Sequence, residues 1–392
     1  MYDLSFAEVG AATHWKQLSF DDRLDIISGK DSATVVFLHG EENSGTFRYR
    51  VSNMSDALNC CGDIQATYFL QREIRRWARW IDRVDLLVVC RVLWTVELDR
   101  VLCETSRRGV PVAFDIDDLV YDVLKVPEII LSIGTRYDEE WYNHWFANAA
   151  RLYRTATRCD FFLSTNDCLA ERVESDFGRQ CLVLPNFPGP EQEEFADEIC
   201  RQKEIMLSKK EVGPTKLIGF FSGTPTHDLD LLSVGPELSN LLEQDPNTRL
   251  IIVGHASVPA CLRGDGVAER VKEVGFQSSL GMQVWMGRCD VVVVPLVPSE
   301  FSDCKSEIKY VESSWVCTPV VASPSRVHRA IIEDGIDGYL ARPGEWADKV
   351  VAALGAQGAD ATAGRARRRC RARYSGRQVV QRLLSVLTNG LK

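Results

Sequence analysis

No uninterrupted apolar run in this sequence approaches the roughly 20 residues of a membrane-spanning helix, and the opening MYDLSFAEVG lacks the basic and apolar regions of a secretion signal. These absences give the expectation of a cytoplasmic protein. None of the thirteen cysteines forms the CxxC pair of a zinc site, and their odd number argues against a complete disulfide framework. They read as reduced thiols, mostly small core residues. Positive charge is in deficit, with 46 lysines and arginines against 55 aspartates and glutamates. The net charge of -9 disfavours nonspecific nucleic-acid binding by the whole molecule. One local exception, RARRRCRAR at Arg365–Arg373, reads as a solvated helix face or as a contact for an anionic membrane surface or polymer. Short internal repeats and low-complexity tracts are missing as well.

What is present is enough apolar material, 45% of 392 residues, for two substantial cores. Residues 1–33 read as a polar, partly helical lead-in. From Thr34, strand-like TVVFLHG, DLLVVC, VPVAFDI, DFFLST and CLVLPN alternate with helical segments, one of them near Phe47 to Asn59. This pattern predicts an α/β domain with a parallel sheet over 34–190. A charged, proline-flanked stretch, 191–213, reads as the interdomain connection with some helix inside it. KLIGFF, RLIIVG, CDVVVVP and TPVVAS then predict a second α/β domain over 214–374. The last segment, 375–392, carries an amphipathic helix, GRQVVQRLLSVLTN, whose docking place its periodicity does not give. Two such sheets leave a cleft between them.

Ligands of parallel sheets collect beyond the carboxyl ends of the strands, and CDVVVVP has the apolar run of a strand buried on both faces. The following SDCKSEIKYVESSWVCTPVVAS predicts a helix capped by Ser302 or Asp303, with Lys305, Lys309 and Glu312 at i, i+4 and i+7 along one face. Such a face suits a ligand with an anionic and a hydroxylated end, a nucleotide sugar. Lys305 and the helix dipole would meet the diphosphate, and Glu312 would accept from sugar or ribose hydroxyls. A plain Lys309–Glu312 pair on a solvated face satisfies the same spacing. Ser222, Gly223 and Thr224, after KLIGFF, let a phosphate approach the backbone, or form an ordinary strand-to-helix turn. No lysine follows that glycine where a Walker loop needs one.

In the first domain Gly40 and Gly45 bracket a loop, followed by Arg48 and Arg50. Arg48 is favoured as an anion or sugar contact, while Arg50, two positions on, points to another side. Asp115, Asp117, Asp118 and Asp122 cluster at a strand end. A divalent metal site, an acceptor-hydroxyl or proton-transfer site and a capped turn all remain open for them.

Taken in order, LSTNDCLAERVESDFGRQCLVLPN, FFSGTPTHD, RLIIVG, CDVVVVPL, KYVESSWVCTPVVASP and ARYSGRQVVQRLLSVL make the chain resemble, from about Thr34 onward, a GT-B glycosyltransferase of the family 4 type. The resemblance implies two Rossmann-like domains facing a central cleft and a C-terminal helix returning to the first domain. It also implies transfer from a nucleotide-sugar substrate with retention of configuration, without a cofactor or an obligatory metal. Donor binding then falls to Ser222, Gly223, Thr224, Lys305, Lys309 and Glu312. The acceptor side falls to Gly45, Arg48, Asp117 and Asp118, and catalytic contacts to Lys305, Lys309, Glu312, Asp117 and Asp118. The departing phosphate can take the acceptor proton, so a protein base is not required. By the same resemblance the acceptor is a glycan, lipid-linked or other hydroxyl compound of bacterial surface polysaccharide assembly, reached at the inner face of the membrane.

Two departures stand out. Cys304 occupies the place of the family's first donor-site glutamate, and no basic residue lies between Gly223 and Arg249, where the family carries an arginine and lysine pair. Lys305 and Lys309 are the replacements this sequence offers. A noncatalytic GT-B subunit that binds glycan or stabilises a partner, and a nucleotide-sugar epimerase, are the competing readings.

Overall fold

A computed structural model of the chain describes residues 1–4, 18–29, 32–42, 44–60, 62, 64–133, 138–224, 227–355 and 361–389. Two six-stranded sheets carry the fold, each strand parallel to its neighbours. The first contains β1 (Ala33–His39), β2 (Ile64–Leu70), β3 (Leu86–Cys90), β4 (Val112–Ile116), β5 (Phe161–Ser164) and β6 (Cys181–Val183), in the order β2-β1-β3-β4-β5-β6. The second contains β7 (Lys216–Ser222), β8 (Thr248–Gly254), β9 (Val271–Val274), β10 (Val291–Val294), β11 (Val320–Ala322) and β12 (Tyr339–Leu340), ordered β12-β11-β10-β7-β8-β9. The α/β class and the two parallel sheets are those the strand pattern predicts. Central strands such as β3 are buried along their whole length, which is why they read as unbroken apolar runs rather than alternating ones.

The connection is more ordered than its polarity suggests. Pro190–Ser208 is a 19-residue helix that starts with proline in its first turn and with the Gln192 side chain accepting from Gly189 N at 3.1 Å. It packs on the second lobe, where Lys203 Nζ donates to Cys317 O at 2.8 Å and to Thr318 Oγ1 at 2.9 Å. The lead-in bridges both lobes. Tyr2 N donates to Arg288 O in the second lobe, 3.3 Å away, while the Phe20–Ser28 helix is tied to the first by Arg23, paired with Glu73 at 2.7 Å.

The final helix, Gly376–Asn389, packs on the first lobe: a Cβ at Gly376 would lie 3.1 Å from both Ala57 and Phe187. Val379, Val380 and Leu383 join the core cluster that holds Ala57, Leu58 and Phe187. This is the return to the first domain that the family resemblance implies and that the amphipathic pattern by itself left unplaced. The basic stretch before it is largely engaged within the molecule. Arg367 and Arg371 meet Asp197, Arg369 meets Asp337, and Arg365 donates to Ile336 O. Among the described residues no helix is long and apolar enough to cross a membrane.

Candidate active site between the two sheets

The carboxyl ends of the strands of both sheets open onto one cavity of about 790 Å³. His39 at the end of β1 and Gly40 after it reach the cavity, as do Arg91 after β3 and Asp117 and Asp118 after β4. Gly223 and Thr224 line it after β7, and Pro295 and Leu296 after β10. Lys305, Lys309 and His328 complete the second-lobe wall.

The lysines do not ride on one helix, which corrects the expectation of a continuous face. A short helix, Glu300–Asp303, is capped by Ser299, whose hydroxyl accepts from Ser302 N, so neither Ser302 nor Asp303 is the cap. It closes as Cys304 N turns back to Glu300 O and Phe301 O, at 3.2 and 3.3 Å. The next helix is Ile308–Trp315, with Glu307 as its N-cap. Lys305 therefore lies in the intervening turn, not one helical turn before Lys309. Both still line the cavity, because the first lobe grips that turn: Asn166 Nδ2 donates to Cys304 O at 3.2 Å, and Asn186 Nδ2 to Ser306 Oγ at 3.1 Å. Lys305 Nζ stands 4.0 Å from Asp230 Oδ2 and 5.2 Å from the Phe301 ring centroid.

Glu312 is buried and is not among the cavity-lining residues. One carboxylate oxygen accepts from Lys309 Nζ at 2.9 Å, the plainer of the two arrangements its spacing allows, and the other accepts from Tyr49 of the opposite lobe. It orients Lys309 and joins the lobes instead of facing the cavity. In the glycine loop, Ser222 is also buried, its hydroxyl donating to Thr224 O and shaping the turn that presents Gly223 and Thr224. His227 lines the cavity beside them, Nδ1 lying 2.8 Å from Asp230 Oδ2. Burial, then the neighbouring Lys305 charge, pushes its pKa below the usual histidine value.

On the first-lobe wall Gly45 and Thr46 line the cavity but Arg48 does not; the lining arginine is Arg91. Arg91 has φ of +49°, a left-handed backbone that turns the chain sharply after β3. Arg50 goes inward. The helix from Gly45 to Asn59 contains a π-helical segment, Arg48–Ser52, which puts Tyr49 at the cavity and Arg50 in the core. There Arg50 pairs with Asp115 at 2.6 Å and donates to Leu184 O at 2.5 Å and Asn186 Oδ1 at 3.2 Å.

The four aspartates separate accordingly. Asp115 belongs to Arg50 and Asp122 to Arg172, at 2.8 Å, leaving Asp117 and Asp118 in the cavity. Among the described residues no group of three or more histidine, cysteine or acidic side chains stands close enough to hold a metal ion. Asp117 accepts from Arg91 at 2.9 Å and Thr46 at 2.6 Å; burial alone would raise its pKa, but these partners hold it below the usual carboxylate value. Burial and the adjacent Asp117 charge push Asp118 up to about 6. Two neighbouring carboxylates thus hold protons differently.

His39 is neutral near pH 7, burial bringing it to about 4. Its Nδ1 lies 2.7 Å from Glu41 O, and its Nε2 has no hydrogen-bond partner among the described residues. His39 is the last residue of β1, Arg91 directly follows β3 and His227 lies in the segment after β7, at the ends of strands where a parallel sheet collects its ligands. That rule applied to HG, CR and the segment after FFSG was the signal in the sequence that could have found them.

Residues 218–356, from β7 to just past the Trp346–Leu354 helix, match the family described as Glycosyl transferases group 1. No curated protein was similar enough in sequence to count as a match. Among solved structures, HepE from Anabaena in complex with UDP is 15% identical with a TM-score of 0.58, covering 91% of this chain and 100% of its own. A glycosyltransferase from Rickettsia africae is 10% identical with a TM-score of 0.61, covering 92% and 98%. WaaG, a glycosyltransferase involved in lipopolysaccharide biosynthesis, is 14% identical with a TM-score of 0.56, covering 91% and 100%. The chain therefore has the GT-B fold of two Rossmann-like domains, and the match to the Glycosyl transferases group 1 family falls on its second lobe, over residues 218–356.

Proposed function

We propose that this protein is a glycosyltransferase that moves a sugar from a nucleotide sugar to a hydroxyl acceptor, with retention of configuration and without a metal. The observation that carries the reading is the interlobe cavity, which sets Lys305 and Lys309 against Asp117 and Asp118. The departing diphosphate gathers negative charge. Two ammonium groups, the Gly223 loop and the start of the Ile308–Trp315 helix supply fixed positive potential for it. HepE is known with UDP, with UDP and glucose, and with UDP-glucose, which makes uridine diphosphate sugars the first donors to test.

The acceptor hydroxyl is assigned to the first-lobe wall, near Asp118. Leu93, Val120, Ile129, Trp141 and Trp145 also line the cavity on that side, which favours an acceptor with an apolar portion, such as a lipid-linked glycan. A noncatalytic binding subunit is the second reading, favoured by Cys304 being buried and Glu312 lying outside the cavity. Thermal-shift titration with a panel of nucleotide sugars, followed by donor hydrolysis, separates the two. An enzyme is stabilised by one donor and slowly hydrolyses it. No stabilisation by any nucleotide sugar, with stabilisation by glycan alone, would refute the transferase.

Asp118 gives a pH signature. Its raised pKa means the fold disfavours the ionised form, so the stability it contributes is present at acid pH and is lost as pH rises through about 6. The carboxylate that can accept from an acceptor hydroxyl is the form present above that pH. Turnover at limiting acceptor is expected to rise about tenfold per pH unit below 6 and to level off above it. His39 and His328, both brought to about 4 by burial, do not titrate in this window. Asp118→Asn is expected to flatten the profile, and an unchanged profile in that variant removes Asp118 from the acceptor side.

A further inference from the structure

Cys168 of the first lobe and Cys304 of the second bring their sulfurs within 3.7 Å across the lobe interface. The contact is braced by Asn166, which caps the helix carrying Cys168, accepting from Leu169 N at 2.9 Å, and donates to Cys304 O at 3.2 Å. Arg326 Nη1 is 3.7 Å from Cys168 Sγ. Both cysteines are buried, Cys304 at 1% and Cys168 at 9% exposure, and Cys168 lines a crevice of about 150 Å³ together with Arg326, Arg373 and Arg382.

We propose that Cys168 and Cys304 form a reversible oxidation site, in which a small anionic disulfide such as glutathione disulfide converts them to a disulfide that ties the two lobes together. The crevice supplies both access and guanidinium groups for the carboxylates of such a reagent. The two thiols are not equivalent. The hydrogen bond from Cys304, followed by the Arg326 charge, lowers Cys168 to about 7, while Cys304 is raised by its hydrogen bond to Cys168 and by burial. Cys168 is therefore the attacking thiolate and Cys304 the resolving thiol.

In the first step the Cys168 thiolate attacks one sulfur of glutathione disulfide, forming a mixed disulfide and releasing one glutathione thiolate. Cys304 then gives its proton to that thiolate or to water and attacks the Cys168 sulfur. The protein disulfide forms as the second glutathione leaves. Two protein thiols are oxidised, and one glutathione disulfide is reduced to two glutathiones. Because Cys304 directly precedes Lys305, the new bond fixes the turn that carries a cavity lysine to the opposite lobe. A second close pair, Cys200 and Cys317 at 2.8 Å, joins the connecting helix to the lobe it already packs on and cannot tether the two lobes.

The test is independent of the proposed activity. The full chain is incubated with glutathione disulfide at neutral pH, remaining thiols are alkylated after denaturation, and peptides are mapped by mass. The expected product is a Cys168 peptide joined to a Cys304 peptide with the loss of two hydrogen atoms, reversed by dithiothreitol. Cys304→Ser should leave glutathione on Cys168, and Cys168→Ser should leave Cys304 unmodified, both variants keeping the parent circular dichroism spectrum. Recovery of both cysteines as free thiols while exposed Cys60 or Cys103 carries glutathione overturns the proposal. So does a link that appears only in urea.

Discussion

Replacing Lys305 by alanine is expected to lower turnover at saturating donor by about 100-fold or more. That corresponds to roughly 3 kcal/mol of activation energy, by analogy with removing one preorganised contact to a developing anion. The side chain is held in the cavity by the 304–307 turn and not by helix packing, with Asp230 Oδ2 4.0 Å from its ammonium. Its loss should therefore leave the melting temperature almost unchanged. Lys309→Ala should reduce turnover comparably, but it also strips Glu312 of one of its two partners, so Lys305 gives the cleaner measurement. Lys305→Arg keeps the charge with a different hydrogen-bonding geometry and should recover only part of the rate. Steady-state kinetics with a donor identified by thermal shift provides the check. Near-normal rates in both alanine variants would remove the lysines from the donor site.

The second large effect is on folding. Arg50→Ala is expected to destabilise the first lobe by about 3–5 kcal/mol, because it leaves the Asp115 carboxylate buried without its cation. It also removes the donors to Leu184 O and Asn186, and so loosens the segment after β6. Asn186 in turn holds Ser306 across the cleft, so the lysine turn should loosen with it. Urea unfolding followed by tryptophan fluorescence should show the midpoint falling well below that of the parent. The double change Arg50→Met with Asp115→Leu removes both charges together and should recover much of the loss, since apolar replacements of a buried ion pair are often close to neutral. A single variant as stable as the parent would show that the pair does not brace the lobe.

The residues of the site divide by how local their causes are. Gly223, Thr224, Asp117 and Asp118 sit just past strands legible as apolar runs, Lys305 and Lys309 lie further along, beyond a short helix after β10, and all six line the cavity. Arg48, Ser222 and Glu312 met the same sequence criteria but do not line it. Their directions depend on a π-helical segment, a hydrogen bond inside a turn, and a tyrosine from the other lobe. Arg91 stands where the strand-end rule points, but nothing in CRVLW announces the left-handed backbone with which it lines the cavity.

By itself the sequence determined the α/β class, the succession of two parallel sheets and the end of each sheet where a ligand would gather. Burial on both faces and the strand-helix alternation write those properties locally along the chain. Only the tertiary structure decided that the lysine segment breaks into two helices, that Glu312 turns to Tyr49, and that Cys168 meets Cys304. These outcomes depend on groups brought together from distant parts of the chain, and neither helical periodicity nor residue spacing carries information about such partners.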